Sequence, residues 1–436
     1  MLRFLGSPPG SPAATQSSQQ CRAFLEDTSP PLRVRSSPQT RLAIVNSSRL
    51  YLDNAATQRL RPEAHAAMQE AAHQLNPAGQ YSSGRTARRV LEDSREEVAE
   101  LLGADAAEVI FTGSGTEADN IAIQGLAFGS LAHRQARLVA SAAIEHPAVA
   151  ESVDWLTHGP IDFGFERADL QVDADGRVKT DSDVLETTLK SGENVAVMTC
   201  MWANNETGNI QPVRELARFA RERNIPFHTD AVQAVGHVPV NFHELGATTL
   251  AASAHKFGGP KSVGILLARR DADILSPVRG GGQERKLRSG TVNVQGAAGA
   301  AAALAASVQR MEEENLEAAN RRDRLRAAVE KVDGVRIWTQ EPALAGHLHF
   351  SVPGAEGDSM IMLLDAAGVD ASTGSACSAG VNRASTVLTA MGVDVSVARG
   401  ALRLTVGPDA DLNAVDDLAE RLPRILEQAR SAGMAF

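Results

Sequence analysis

From Leu50 onward, short apolar or β-branched runs alternate with longer stretches whose apolar residues recur at helical spacing. This alternation constrains the chain more than any other feature. Strands separated by helices bury both their faces by forming an α/β sheet with the helices packed against it. Residues 109–112, 137–141, 195–199, 225–229, 248–252 and 264–268 read as strands, and residues 85–102 and 213–223 as amphipathic helices. Residues 296–332 read as one long helix with Glu312, Glu313 and Glu314 on its solvated side. Two further strands, 347–352 and 401–406, precede a terminal helix. The expected architecture is α/β: a large mixed-sheet domain over residues 63–304, and a smaller α/β domain from residues 49–62 and 305–436.

Residues 1–48 stand apart, rich in Ser, Pro and Gln with no sustained apolar period. They read as a disordered extension. Arg3, Arg22, Arg33, Arg35 and Arg41 outnumber Glu26 and Asp27, a balance that also suits a targeting segment and an organellar destination; otherwise a cytoplasmic protein is expected. The net charge of -10 disfavours a broad nucleic-acid surface, so no direct nucleic-acid partner is expected. No apolar run reaches the roughly 20 residues needed to cross a bilayer, so no membrane partner is expected. Cys21, Cys200 and Cys377 form neither a disulfide framework nor a zinc spacing, which fits a reducing compartment.

In open α/β sheets, binding sites form beyond the carboxyl ends of strands. The first strand runs into Gly113-Ser114-Gly115-Thr116, small and hydroxyl residues opening a helix, which suits a phosphate. The second leads to Glu145-His146-Pro147 and the third to Asn204-Asn205-Glu206-Thr207-Gly208. The fourth ends at Asp230, a carboxylate that needs a cationic partner such as a protonated ring nitrogen, or else caps a helix. The fifth ends in Ser253-Ala254-His255-Lys256 before Gly-Gly-Pro. Partial burial there lowers a lysine pKa and frees its amine for Schiff-base chemistry. Each piece alone is also ordinary turn or surface chemistry. Together, a phosphate cradle, a ring-stacking His, a strand-end acid and a Lys beside hydroxyls are the parts of a pyridoxal 5'-phosphate site, and no metal is expected.

The same motifs, in order, resemble the cysteine desulfurases of the class V aminotransferase family, within fold type I. Tyr51-Leu52-Asp53-Asn54-Ala55-Ala56-Thr57, Asn76-Pro77, Thr116-Glu117-Ala118-Asp119-Asn120, Asp230-Ala231-Val232-Gln233, Gly280-Gly281-Gly282-Gln283-Glu284, Arg288-Ser289-Gly290-Thr291 and Gly374-Ser375-Ala376-Cys377 extend the likeness from Tyr51 to the C-terminal helix. The resemblance implies that Lys256 joins the cofactor and moves the Cα proton, that Asp230 pairs with the pyridine nitrogen, and that His146 stacks on the ring and assists proton transfer. It implies that Asn205 and Gln233 bond near the ring's phenolic oxygen, and that Gly115, Thr116, Ser253 and His255 hold the phosphate. Thr291 resembles a residue sent into the neighbouring subunit's phosphate site, implying a homodimer. Arg403, with Asn205, is implied in holding the substrate carboxylate, through a fork that Lys lacks.

Cys377 is implied as the nucleophile that accepts sulfur from L-cysteine and passes it to an acceptor protein, for iron–sulfur assembly or thiolation of tRNA or a cofactor. Small residues around it suit a mobile loop, while Cys21 and Cys200, the latter assigned to a strand, read as bystanders. The chain departs from the family pattern in having Arg383-Ala384-Ser385 where many members carry Glu-Pro-Ser, and Pro408 where many carry Arg. The first departure leaves the sulfur acceptor open. Selenocysteine cleavage or aminotransfer is the alternative chemistry, and a catalytically idle scaffold binding a sulfur carrier is a third reading.

Overall fold

The computed structural model describes residues 49–189, 194–374 and 384–433, all within one unit that begins at Ser48. Its strands are β1 (Leu50–Tyr51), β2 (Val109–Thr112), β3 (Leu138–Ala142), β4 (Glu166–Leu170), β5 (Val195–Thr199), β6 (Phe227–Asp230), β7 (Thr249–Ser253), β8 (Gly264–Ala268), β9 (Arg336–Ile337), β10 (His347–Ser351), β11 (Val369–Asp370) and β12 (Ala401–Thr405). The main sheet has the order β2-β8-β7-β6-β5-β3-β4. Only β8 runs against its neighbours, so the carboxyl ends of β2, β3, β5, β6 and β7 share one edge.

Every residue of β2, β3, β5, β6, β7 and β8 is buried, as a sheet covered on both faces requires. β4 closes one edge and escaped the sequence reading, because Glu166, Arg167 and Asp169 mask its period. Charge at an exposed edge discourages pairing with other chains. Five other strands differ by one or two residues from expectation; β10 and β12 each end one residue earlier than expected. β6 starts at Phe227, since Pro226 has no N–H to give, although its carbonyl still accepts from Met198 N at 2.9 Å. β3 and β7 each begin and end one residue later than read. Cys200 lies just beyond β5, not within it, and is buried.

The helix read at 296–332 runs unbroken from Val294 to Val329, opened by the Asn293 side chain accepting from Gly296 N at 2.9 Å. Its first half presents Ala297, Ala300, Ala301 and Leu304 to the core of the main sheet. Its far end packs Leu325, Ala328 and Val329 into a second core with Leu50 and Leu52. That second core lies on one face of the antiparallel pair β10–β12, where Leu348, Phe350, Leu402 and Leu404 are wholly buried. Each such side chain contributes about 1.5–3 kcal/mol. Strand alternation places His347, His349, Arg403 and Thr405 on the opposite face. The terminal helix Leu412–Gly433 packs Val415, Leu418, Leu422, Ile425 and Leu426 on this core and carries Pro423 within it.

Candidate active site

The shared edge of carboxyl ends assembles the site. After β2, Ser114 caps the helix Gly115–Arg134 by accepting from Glu117 N at 3.0 Å. Glu117 in turn accepts from Gly113 N and from Arg288, fixing the turn that leads into the helix. A Cβ on Gly115 would lie 2.8 Å from Val232 Cγ2 and 3.1 Å from Ser253 Cβ, so any larger residue would fill this cradle. After β3, His146 caps the next helix through Nδ1, which accepts from Ala148 N at 3.1 Å. In the neutral ring the proton therefore sits on Nε2. Burial lowers the His146 pKa, which keeps that ring neutral.

β6 ends in Asp230, whose Oδ1 accepts from Val232 N at 2.9 Å. Burial pushes its pKa up, while His146, the Val232 N–H and Lys256 pull it down. A buried carboxylate so placed gains from a cation across the cavity. β7 runs into a short 3-10 turn, Ala254–Lys256. Burial, and next the charge of Arg403, lower Lys256 to about 8, opposed by Asp230 and Asp53. Its amine donates to the Ala55 carbonyl at 2.5 Å, and Gln233 Nε2 donates to the same oxygen at 2.9 Å. His255 meets Thr57 Oγ1 at 3.1 Å and is lowered to about 4, by burial and then by Lys256.

These groups line one cavity of about 240 Å³. It contains Gly115, Thr116, His146, Asn205, Asp230, Gln233, Ser253, His255 and Lys256, nine of the ten residues expected at the cofactor. Thr291, the tenth, is exposed and does not line it. Arg403 is not among the lining residues; it is buried behind Asn205, donating to that backbone oxygen at 2.7 Å and to Asp53 at 2.6 Å. Cys377 lies outside the described residues. Both flanks of its segment lie by Glu206: Ser385 Oγ donates to Glu206 Oε2 at 2.5 Å, and a Cβ on Gly374 would lie 3.4 Å from Glu206 Cγ and from Arg403 Cβ. Burial raises Glu206 to about 7.

Sequence reasoning assigned no role to Asp119, Met201 or Val232, which also line the cavity. Asp119 sits one turn into the helix after the cradle, with a spacing that points it back at the sheet. It accepts from, or donates to, His228 Nε2 at 3.2 Å. Burial raises the acid and lowers the imidazole to about 3, so both shifts favour the uncharged forms of the pair. The Ala55 carbonyl had no sequence signal at all, since every residue carries one.

The family model for class-V aminotransferases matches residues 50–418. The chain belongs to the class-V aminotransferase family. Among class-V relatives, the IscS-like cysteine desulfurase of Mycobacterium tuberculosis is 43% identical over 390 residues, covering 88% of this chain and 98% of that one. A solved NifS-like protein superposes with a TM-score of 0.79 at 33% identity, covering 87% of this chain and 100% of the other. A solved complex of SspA with cysteine superposes at 0.70 with 27% identity, covering 83% and 100%. The fold is thus that of the NifS-like class-V enzymes, which depend on pyridoxal phosphate in general. The residues present fit that group: a cradle closed to any Cβ, a buried acid suited to a cation, and a lysine of lowered pKa, all on one cavity.

Proposed function

We propose that this chain is a cysteine desulfurase that binds pyridoxal phosphate at Lys256, converts L-cysteine to L-alanine and leaves the sulfur as a persulfide on Cys377. The observation that carries the reading is the cavity itself, where Lys256, Asp230, His146 and the Gly115 cradle meet. The match to cysteine desulfurases along nearly the whole described chain supports it.

When bound, pyridoxal phosphate supplies an electron sink for bonds broken at the substrate's α-carbon. Gly115, Thr116, Ser253 and His255 would hold its phosphate, Asp230 its ring nitrogen, His146 its ring face, and Asn205 and Gln233 the neighbourhood of its phenolic oxygen. Lys256 Nζ, lowered to about 8, takes and returns the α-proton near neutral pH. Arg403 pairs with the substrate carboxylate, with Asn205 beside it. The Cys377 thiolate takes the substrate sulfur; the carbon–sulfur bond breaks, and protons return to carbon to leave alanine. In balance, one thiol and one cysteine become one persulfide and one alanine. The sulfur then passes to an acceptor protein, an iron–sulfur scaffold or a sulfur carrier.

Around these residues we infer a large domain over 63–304, a small domain from 49–62 and 305–436, and a homodimer in which Thr291 serves the partner's phosphate site. The positions of the two hydrophobic cores support the division. Among the described residues, no helix is long and apolar enough to cross a membrane.

The test is incubation of the purified holoenzyme with L-cysteine. Alanine release and a mass gain of one sulfur on the Cys377 peptide are expected. Cys377→Ser keeps the cofactor absorbance and loses the persulfide. Persulfide-linked turnover by that variant would sink the mechanism.

A further inference from the structure

Arg403 is the group that the proposed function gives to the substrate carboxylate, and the inference here rests on that reading. The guanidinium already holds a carboxylate. Its Nη2 donates to Asp53 Oδ1 at 2.6 Å while Nη1 donates to Asn205 O. Among the described residues, Arg403 Nε is buried without a hydrogen-bond partner. The Arg403 side chain is only 5% exposed, so its charge needs a counter-ion, and Asp53, at 23%, remains within reach of water.

Asp53 is held there by a built turn. The Tyr51 hydroxyl lies 2.9 Å from Asp53 O and 2.8 Å from Thr57 O, closing the segment on itself. Asn54 Nδ2 donates to Thr405 O, and Ala55 N donates to Thr405 Oγ1, tying the turn to the strand that carries Arg403. The same turn accepts the Lys256 amine at Ala55 O, and the Asp53 charge acts on that amine. One five-residue turn thus touches both the amine and the guanidinium of the site.

We propose that Asp53 is a specificity-determining residue whose carboxylate stands in for the substrate's on Arg403, so that every α-carboxylate ligand binds against an internal competitor. In the resting site Asp53 neutralises a buried cation. An arriving amino acid gains only the difference between its own pairing and the one it displaces or shares. This keeps affinity for the carboxylate modest, in product as in substrate, and so favours alanine release. A ligand without a carboxylate has no competitor. A purely structural Asp53 would instead affect all amines alike.

The probes are L-alanine and ethylamine, which differ by the carboxylate alone, titrated calorimetrically into holoenzyme. In Asp53→Asn the alanine dissociation constant is expected to fall by roughly three- to tenfold, with ethylamine changed by less than about twofold. Asp53→Ser, a smaller neutral replacement, should tighten alanine in the same direction. Unchanged or weaker alanine binding, or equal shifts for both ligands, overturns the proposal. So does loss of bound cofactor from both variants, which would make Asp53 a scaffold residue. Arg403→Ala separates the two levels. If it binds alanine as tightly as the parent, the carboxylate-site reading fails and takes this inference with it. If it binds alanine weakly while Asp53→Asn shows no tightening, only the role of Asp53 fails.

Discussion

Asp119, Glu145 and Asp230 are buried carboxyl groups that act on one another electrostatically beside the cavity. Like charges packed together cannot all ionise at neutral pH. Glu145 is raised from its ordinary 4.5 to about 8, first by burial and then by Asp230. One of its oxygens accepts from Thr199 Oγ1 at 3.0 Å, and that bond and the Met201 backbone N–H pull the other way. This leaves Asp230 as the acid that a ring cation would draw into its charged form. The stability consequence has a definite sign. Between pH 4.5 and about 8 the folded state keeps the Glu145 proton that the unfolded chain has lost, so stability falls as pH rises through that window. Glu145→Gln mimics the protonated acid and removes this dependence. For the cofactor-free chain, thermal unfolding should show a smaller drop in Tm from about pH 5 to about pH 8 in the variant than in the parent, by roughly 2 °C or more. An identical drop in both proteins would show that Glu145 does not titrate in this range.

At the scale of elements, a buried ion pair fixes the segment that leads to Thr291. Arg95, on the helix Ser82–Leu102, makes a two-pronged contact with Glu284 at 2.8 Å and also donates to Val109 O on β2. Glu284 accepts from Phe111 N on β2 at 2.9 Å. One carboxylate therefore joins a helix, an outer strand and the Gly280–Gly290 segment, where Arg288 reaches Glu117 of the phosphate cradle. Both side chains are about as buried as core leucines, at 5% and 1% exposure. Removing one partner strands the other charge. Glu284→Ala should cost about 3–5 kcal/mol in urea unfolding and weaken cofactor retention, because the cradle loses its support through Arg288. A loss below about 1 kcal/mol would mean that water replaces the pair.

At the scale of the molecule, Thr291 decides between a monomer complete in itself and a paired assembly. It is exposed and stands off the cavity that holds every other cofactor residue expected from the sequence. If it completes the partner's site, two defective chains can restore one intact site. A hybrid of a Lys256→Ala chain with a Thr291→Ala chain should recover about half of the parent's activity per dimer, since symmetry gives each dimer two sites. Each homodimer alone should stay well below that. No gain in the hybrid, together with monomeric sedimentation, would remove Thr291 from the site.

The order of six main-sheet strands, of β10 and β12, and of the long helix was legible in the sequence, because periodicity survives without knowledge of neighbours. The motifs at the strand ends are legible too: parallel strands send successive carboxyl ends to one edge, so the sequence alone groups Gly115, His146, Asp230 and Lys256, which line one cavity. Edge strand β4 was not legible, since solvent and not a core selects its residues. Nor were the Asp53–Arg403 contact, which joins positions 350 apart, or the Ala55 carbonyl that meets Lys256. A backbone oxygen has no identity in a sequence, and a buried pair is visible only when the chain has folded back far enough to remove both charges from water.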